Sequence, residues 1–586
     1  MKNIFKNTAN LLVATALLAA GSVSCEKFLE ETNYSSAETA ETYFTQDNAE
    51  QLITAAYIQF RSVGPNASYS GTDLYSVSAN LTYTNNNNEY NTLLMSDAGG
   101  WSGLYTQTSR CNVALNRIEN QISWDNTTSY QTKKAELVAH AKMLRGYAYY
   151  KLLCNYGDVP IIVEEVSNIT YNYPRDPEEE VMEQVLKDVL EAVEDLPETT
   201  SSYFTNKFYF TKRAAYHVLA DIYTTKGGKS YGSSADYTTA IAYANKAIDS
   251  YDLCSQTYAE LFDFDNQDNA EVLLALRYDG TYSSTAAADY KSVWYQRFKS
   301  TLYNYEGLER QNNYAYATST SVPTNYFYEL LLKDSDDARD TTIIHRVLYA
   351  EKEETKTSLD GNRTHTLRVG DTVIYFPKTQ LKDADKMDRM SRYYVFDDPY
   401  YYYSVTGSDY DKDPNSEGSI FAYNNNGNSI NANFPIFKKF DDAYAAKSYG
   451  ETYGSRDVFV IRLAETHLIA AEAAVRAGDN ATALTHINKV HQRASGNASY
   501  YSGTVTLDDV LDERGIELAG EENRWYILCR TGKLKERCEL YNDHIVDHAV
   551  GNIDEAIHCL RMISEDTIEN SQYSITQNYG YVGYVE

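Results

Sequence analysis

Between Arg456 and Ser495 the apolar residues recur three and four positions apart. Val460, Ile461, Leu463, Ala464, Leu468, Ala471, Ala474 and Val475 fall on one face of a helix. Gly478 stands where a helix end favours a residue free to take positive φ. Asp479 or Asn480 can then cap a second helix, with Ala483, Leu484, Ile487, Val490 and Ala494 facing inward. Ala470, Ala471, Ala473 and Ala474 are small enough to let another helix approach closely. One such pair leaves an apolar face uncovered, so the chain is expected to contain more.

The same period supplies them. A helix carries Ala49, Leu52, Ile53, Ala56, Tyr57 and Phe60, capped by Asp47 or Asn48 and stopped by Gly64-Pro65. A second runs from about Trp101 to Ile118. Thr132 to Cys154 gives the strongest mid-chain helix, and Tyr156 to Pro160 leads on into an apolar extended piece. Pro177 opens the next, lined by Val181, Val185, Val189 and Val193, and Pro197 closes it. Phe210 to Thr224 and Tyr237 to Ile248 make a further pair, and Leu507 to Leu518 returns to helix. The Arg456–Ser495 unit and the 210–248 pair resemble tetratricopeptide units, giving about four pairs in all. Residues 255–455 differ: the helical period fades and Asn, Asp, Ser, Gly and Tyr dominate. The expected fold is mostly α: tetratricopeptide-like helical pairs over 43–254 and 456–586, carrying a large, irregular, Tyr-rich insertion over 255–455.

The first 24 residues read as a secretory signal, with Lys2 and Lys6 ahead of the apolar run Leu11–Ala20 and the small residues Gly21, Ser22 and Ser24. Cys25 follows at once. This resembles a bacterial lipoprotein signal whose cysteine becomes the lipidated N-terminus, although Ser22 stands where Leu or Val is usual. Residues 25–42 then form an extended arm. No later stretch is apolar over the length a membrane helix needs. None of the seven cysteines forms a CxxC motif. Cys111 and Cys154 fall in helical patterns and read as packed thiols.

A net charge of −30 opposes binding to nucleic acid, whose phosphates it would repel. The chain also holds 55 tyrosines against 18 phenylalanines and 4 tryptophans. Tyrosine joins an apolar ring to a hydroxyl, which suits wet binding surfaces. Glu513 and Glu517 lie four apart on one helix face, whereas a glycosidase pair must flank its scissile bond. With Arg514 and Arg524 nearby they read as an ion-pair network. Asp409, Asp411 and Asp413 begin like a calcium loop, but Pro414 and Ile420 stand where Gly and Glu are required. His467, His486 and His491 form no HExxH and read as helix-surface residues. No P-loop, GxSxG or GxGxxG occurs, and no cofactor or metal site is expected.

Taken in order, several pieces resemble the SusD/RagB family of surface lipoproteins. They are Cys25 with Phe28-Leu29, Tyr43-Phe44, Met143 to Pro160, Phe434 to Phe440, Arg456-Asp457, Glu513 to Leu518, Arg524 and Gln577 to Tyr581. The family ending usually reads QNPGY, and here Tyr579 replaces the proline; Met562-Ile563-Ser564 likewise replaces a usual Pro-Ile-Pro. The resemblance implies a lipid-anchored outer-membrane protein facing the cell exterior, with a SusC-like TonB-dependent transporter as partner. It implies capture of an oligosaccharide for import, with no catalysis. Alternatives are a peptide-capturing relative or a secreted polysaccharide hydrolase. Sugars ask for ring faces to stack on and for amides or charges to bond hydroxyls. The candidates for that role are Tyr83, Asn85, Asn87 and Tyr90 in the early loop, and Tyr282, Trp294, Tyr295 and Tyr305 in the insertion. Trp101 reads as a packed aromatic.

Overall fold

The structure is a computed structural model. It describes residues 44–63, 71–76, 90–91, 100–168, 171–278, 297–300, 302, 305–309, 314, 321–357, 364–379, 381–382, 384–385, 393–396, 421–423, 430–432, 434–442, 454–542, 545–546 and 549–584. Cys25 and the leader lie outside the described residues, as do Asp409, Asp411 and Asp413.

Eight helices form four antiparallel pairs. They are α1 (Glu50–Val63) with α2 (Trp101–Asn116), α3 (Thr128–Tyr156) with α4 (Glu178–Asp195), α5 (Lys212–Gly227) with α6 (Ser234–Ile248), and α8 (Leu463–Ala477) with α9 (Asn480–Ser495). Several boundaries have a local cause. Thr127 and Thr211 cap α3 and α5 through their side chains, and Ser233 with Asp236 forms a capping box on α6. Gly478 ends α8 at φ 76°, and Asp479 caps α9 by accepting from the Thr482 N–H at 3.1 Å. The four valines of α4 are buried against α3. Gly146 permits that approach, since a Cβ there would meet Val189 at 2.7 Å. The fourth pair closes on the third: Ala220 and Ala244 meet Ile469 and Ala470, and Tyr237 and Ala240 meet Ala473.

The helix before Gly478 begins later than its apolar period suggests. Val460 and Ile461 lie in strand β4 (Val458–Arg462), antiparallel to β2 (Val272–Leu276). A run of four β-branched or aromatic residues fits a pleated partner better than a helix turn. That partner lies far back in the chain, where the local pattern cannot reveal it.

Residues 255–455 contain more order than their composition suggests. Besides β2 they hold β3 (Val322–Pro323), helix α7 (Asn325–Leu332), a small three-stranded sheet and two hairpins. Many described apolar residues here, among them Phe298, Leu302, Phe327, Leu331, Ile343 and Phe376, are buried in the same core as the helical pairs. After α9 the chain adds α10 (Leu507–Glu517), α11 (Arg524–Thr531) and α12 (Leu534–Tyr541).

A buried charge network joins this body to the helices. Glu517, with no exposed surface, faces Arg462 at 2.6 Å, Arg339 at 3.2 Å and Arg493. Glu513 meets Arg339 at 2.6 Å and His491 at 3.0 Å. Glu271 closes the set on Arg462 at 2.9 Å and on Arg493. Burial alone would raise the Glu513 carboxyl, but Arg339 and His491 outweigh it and hold the group at about 2. Glu513 and Glu517 thus sit in an ion-pair network, with partners other than their sequence neighbours: Arg514 turns to Glu465 and Glu522, and Arg524 to Asp73.

His467, His486 and His491 are corrected from surface to interior positions, each at most 7% exposed. His467 and His486 share a hydrogen bond of 3.0 Å between their Nδ1 atoms, and His491 lies between Asp334 and Glu513. Elements packed over α8 and α9 cover what the helical period marks as the polar face.

Candidate functional site

Four segments far apart in sequence meet in one aromatic floor. Tyr75 of β1 (Tyr75–Ser76) lies 5.4 Å from Phe298 and 5.6 Å from Phe327, ring centre to ring centre. Phe298 stacks on Phe437 at 4.2 Å, and Phe440 lies 6.0 Å away. β1 pairs antiparallel with β3, setting Tyr75 opposite Pro323 and Ser76 opposite Val322. The Ser321 N–H donates to the Arg297 carbonyl at 3.1 Å. Each segment borders a stretch that lies outside the described residues. Ser76 opens the stretch holding Tyr83, Asn85 and Asn87, and Arg297 ends the stretch holding Tyr282, Trp294 and Tyr295. The Tyr282-bearing stretch begins beside a further stretch that follows α1. Arg61 near the end of α1 sits over the Tyr278 ring at 5.7 Å, and residues 64–70 and 279–296 begin just beyond.

Buried charges fix these segments. Asp73 takes a bidentate pair from Arg524 at 2.9 and 2.8 Å and a further contact from Arg537 at 2.7 Å. Burial would raise this carboxyl; the two guanidiniums overcome it and hold it at about 2. The Tyr75 hydroxyl accepts from the Gly520 N–H at 3.2 Å. Asp441, between Lys299 and His345, is likewise held at about 2 against the opposing effect of burial.

Of the eight candidate contact residues, Tyr90 and Tyr305 are described. Tyr90 is 3% exposed, packs on His558 at 5.1 Å and donates its hydroxyl proton to the Gly71 carbonyl. Tyr305 is 6% exposed and packs edge-on against Tyr394 at 4.6 Å and Phe396 at 5.8 Å. Both rings are packed in the interior, and neither offers a face to solvent. Tyr83, Asn85, Asn87, Tyr282, Trp294 and Tyr295 lie outside the described residues. Trp101 is packed, 5% exposed, with its backbone N–H donating to the Tyr156 hydroxyl at 3.0 Å.

Sequence reasoning missed Tyr75, Phe298, Phe327 and Arg339. Phe434 to Phe440 carried a signal in its three phenylalanines, two of which, Phe437 and Phe440, belong to the floor. Arg339 pairs locally with Asp337, but its glutamate partners are 174 and 178 residues away, beyond any local pattern. A separate polar cavity of about 80 Å³ lies between α3, α5 and β4, lined by Lys151, His217, Asp221 and Glu465 among others. It has room for a few waters and is far smaller than the pockets that enclose organic ligands. Burial pushes the Glu465 carboxyl there up to about 7, although Arg514 pulls the other way. Among the described residues no cluster of His, Cys, Asp or Glu is arranged to hold a metal ion.

This architecture is that of a known protein family. The SusD family profile matches residues 270–581, more than half of the chain, and the profile described as "Starch-binding associating with outer membrane" matches residues 27–224. The chain belongs to the SusD family. It is similar to a SusD-like protein of Bacteroides ovatus, 24% identical over 551 residues, which span 89% of this chain and 82% of that one. Its fold is shared with a laminarin-binding SusD-like protein (TM-score 0.62, 19% identity, 92% of this chain and 100% of that one). It is shared too with a SusD homologue from Bacteroides thetaiotaomicron (TM-score 0.66, 19% identity, 92% and 98%). No helix among the described residues is long and apolar enough to cross a membrane.

Proposed function

We propose that the protein is a cell-surface glycan-binding lipoprotein that captures oligosaccharides and delivers them to a SusC-like TonB-dependent outer-membrane transporter. In this reading Cys25 carries the lipid, the helical pairs dock on the transporter, and the protein catalyses nothing. The observation that carries it is the convergence of the bordering segments on one aromatic floor, from which the Tyr-, Trp- and Asn-bearing stretches all depart. Tyr295 and Trp294 are two and three residues from Arg297, so the chain can carry them no further than about 7 and 11 Å from it. Tyr83, Asn85, Asn87 and Tyr282 lie further along the same stretches and complete the proposed contact set. Starch binding in the profile description and laminarin binding by a protein of the same fold support a carbohydrate ligand.

Affinity electrophoresis and calorimetry against a panel of polysaccharides test it. Binding to at least one glycan is expected, weakened about tenfold by Trp294→Ala or Tyr295→Ala, the loss of one well-packed stacking contact. Failure across the panel together with tight binding of a peptide would overturn it. Release of product by the pure protein would overturn its non-catalytic part.

A further inference from the structure

Of the tyrosines exposed among the described residues, Tyr203 and Tyr349 stand apart, and the other four lie on two segments joined side by side. Tyr171 is 47% exposed, Tyr573 70%, Tyr579 58% and Tyr584 40%. Ser574 Oγ donates to the Tyr171 carbonyl at 2.7 Å, and Arg175 donates to the Thr576 carbonyl at 3.1 Å and to the Asn578 side chain.

The C-terminal segment is moored from below. Gln577 bonds both backbone groups of Ile563, at 2.9 and 2.7 Å. Asn578 donates to the Arg561 carbonyl at 2.8 Å, and the Tyr581 hydroxyl donates to the Leu560 carbonyl at 2.8 Å. Gly580, at φ +80°, sits so close to Ile557 that a Cβ would meet its side chain at 2.5 Å. Inward Gln577, Asn578 and Tyr581 therefore alternate with outward Tyr579 and Tyr584, whose rings meet at 5.4 Å and 85° to form a corner. Gln572 and Tyr573 both take left-handed backbone, at φ 53° and 64°, which projects the Tyr573 ring from the end of the preceding helix.

Rings carried on a backbone that is already fixed bind with a smaller ordering cost. Tyrosines offer a stacking face and a hydroxyl, and the exposed amides of Asn172, Asn570 and Gln572 lie among them. Exposed Glu565, Asp566 and Glu569 on the adjoining helix disfavour an anionic glycan or an anionic lipid surface. We propose that Tyr171, Tyr573, Tyr579 and Tyr584 form a second carbohydrate-contact surface, for a neutral polysaccharide, separate from the loop-borne candidates. The proposal rests on the glycan-binding reading above. It also gives a role to Tyr579, the residue that departs from the family ending.

The test compares Tyr573→Ala/Tyr579→Ala with Trp294→Ala/Tyr295→Ala in the full mature protein, using amylopectin and laminarin and their hexasaccharides. The tail variant is expected to keep hexasaccharide affinity and lose polymer affinity about fivefold or more, as a second contact on one chain would. Unchanged polymer affinity in the tail variant, with binding lost in the loop variant, overturns this proposal and leaves the first reading standing. Loss confined to the tail variant sinks the loop reading instead. A wild-type protein that binds none of the neutral glycans overturns this proposal, while the first reading is decided by the wider panel. As an independent check, the bound polymer should protect Tyr573 and Tyr579 of the wild type from nitration by tetranitromethane; equal labelling with and without polymer overturns the proposal.

Discussion

Where the third and fourth helix pairs meet, the contact is made by Ala220, Ala244, Ile469 and Ala470, with no polar side-chain atom among them. Where the 255–455 body meets the helices, Glu517 alone faces three guanidiniums and Glu513 faces a fourth contact and an imidazole. The first junction needs only small, apolar and periodic residues. The second needs specific opposite charges in register, because each buried charge must find its partner. The stack is tolerant in sequence but sensitive to volume. The charged junction is specific in sequence and fails when one member is lost.

Acid should separate the two regions most strongly. His140, His217, His467 and His486 all belong to the stack and are at most 7% exposed. Burial depresses them to about 3, 4, 3 and 4 respectively. The unfolded chain therefore takes up these protons first as pH falls below about 6.5, and stability drains until the folded sites protonate near pH 4 or below. Each histidine is expected to cost about 2 kcal/mol by pH 5. Glu465, raised to about 7, opposes this, since the folded state gains its proton between pH 7 and 4.5. At the junction, Glu513 and Asp73, held at about 2, keep their contribution until pH falls below about 4. Hydrogen exchange between pH 7 and pH 5 should show helices α3, α5, α8 and α9 loosening before the Asp73 and Glu513 contacts; simultaneous loosening would break the comparison.

Next in size is Glu517→Ala. It strands Arg339, Arg462 and Arg493 in the interior and should cost about 3–5 kcal/mol in a urea melt. A loss under 1 kcal/mol would mean that the junction is not charge-specific. Phe298→Ala removes the ring stacked on Phe437 and should cost about 3–4 kcal/mol. It should also weaken ligand binding, because the bordering segments lose their floor; normal binding in the folded variant would detach the site from that floor. The smallest effect is expected from Ala473→Leu, which overfills the seam against Tyr237 and Ala240 by about 1–3 kcal/mol and leaves ligand binding untouched.

The stack was legible because its signals are short-range. The Gly478 end, the Asp479 cap and the valine face of α4 each follow from residues within one or two helical turns. The four pairs and the packed state of Cys111, Cys154 and Trp101 came from the same kind of evidence. The ordered part of 255–455 was not legible, because its strands are short and β2 pairs with β4 across nearly two hundred residues. Tyr90 and Tyr305 illustrate the limit for the site: the same side chain serves a wet surface or a dry core, and only its neighbours distinguish them.

By itself, the sequence determined where the helices lie, where their apolar faces run, and that the net charge opposes nucleic acid. Tertiary structure alone decided which arginine answers Glu513 and Glu517, which histidines are buried, and that the segments at Ser76, Arg297 and Phe437 share one floor. The reason is range. Periodicity and capping are properties of neighbouring residues, whereas charge pairing and ring stacking are properties of atoms that only the folded chain brings within a few ångströms.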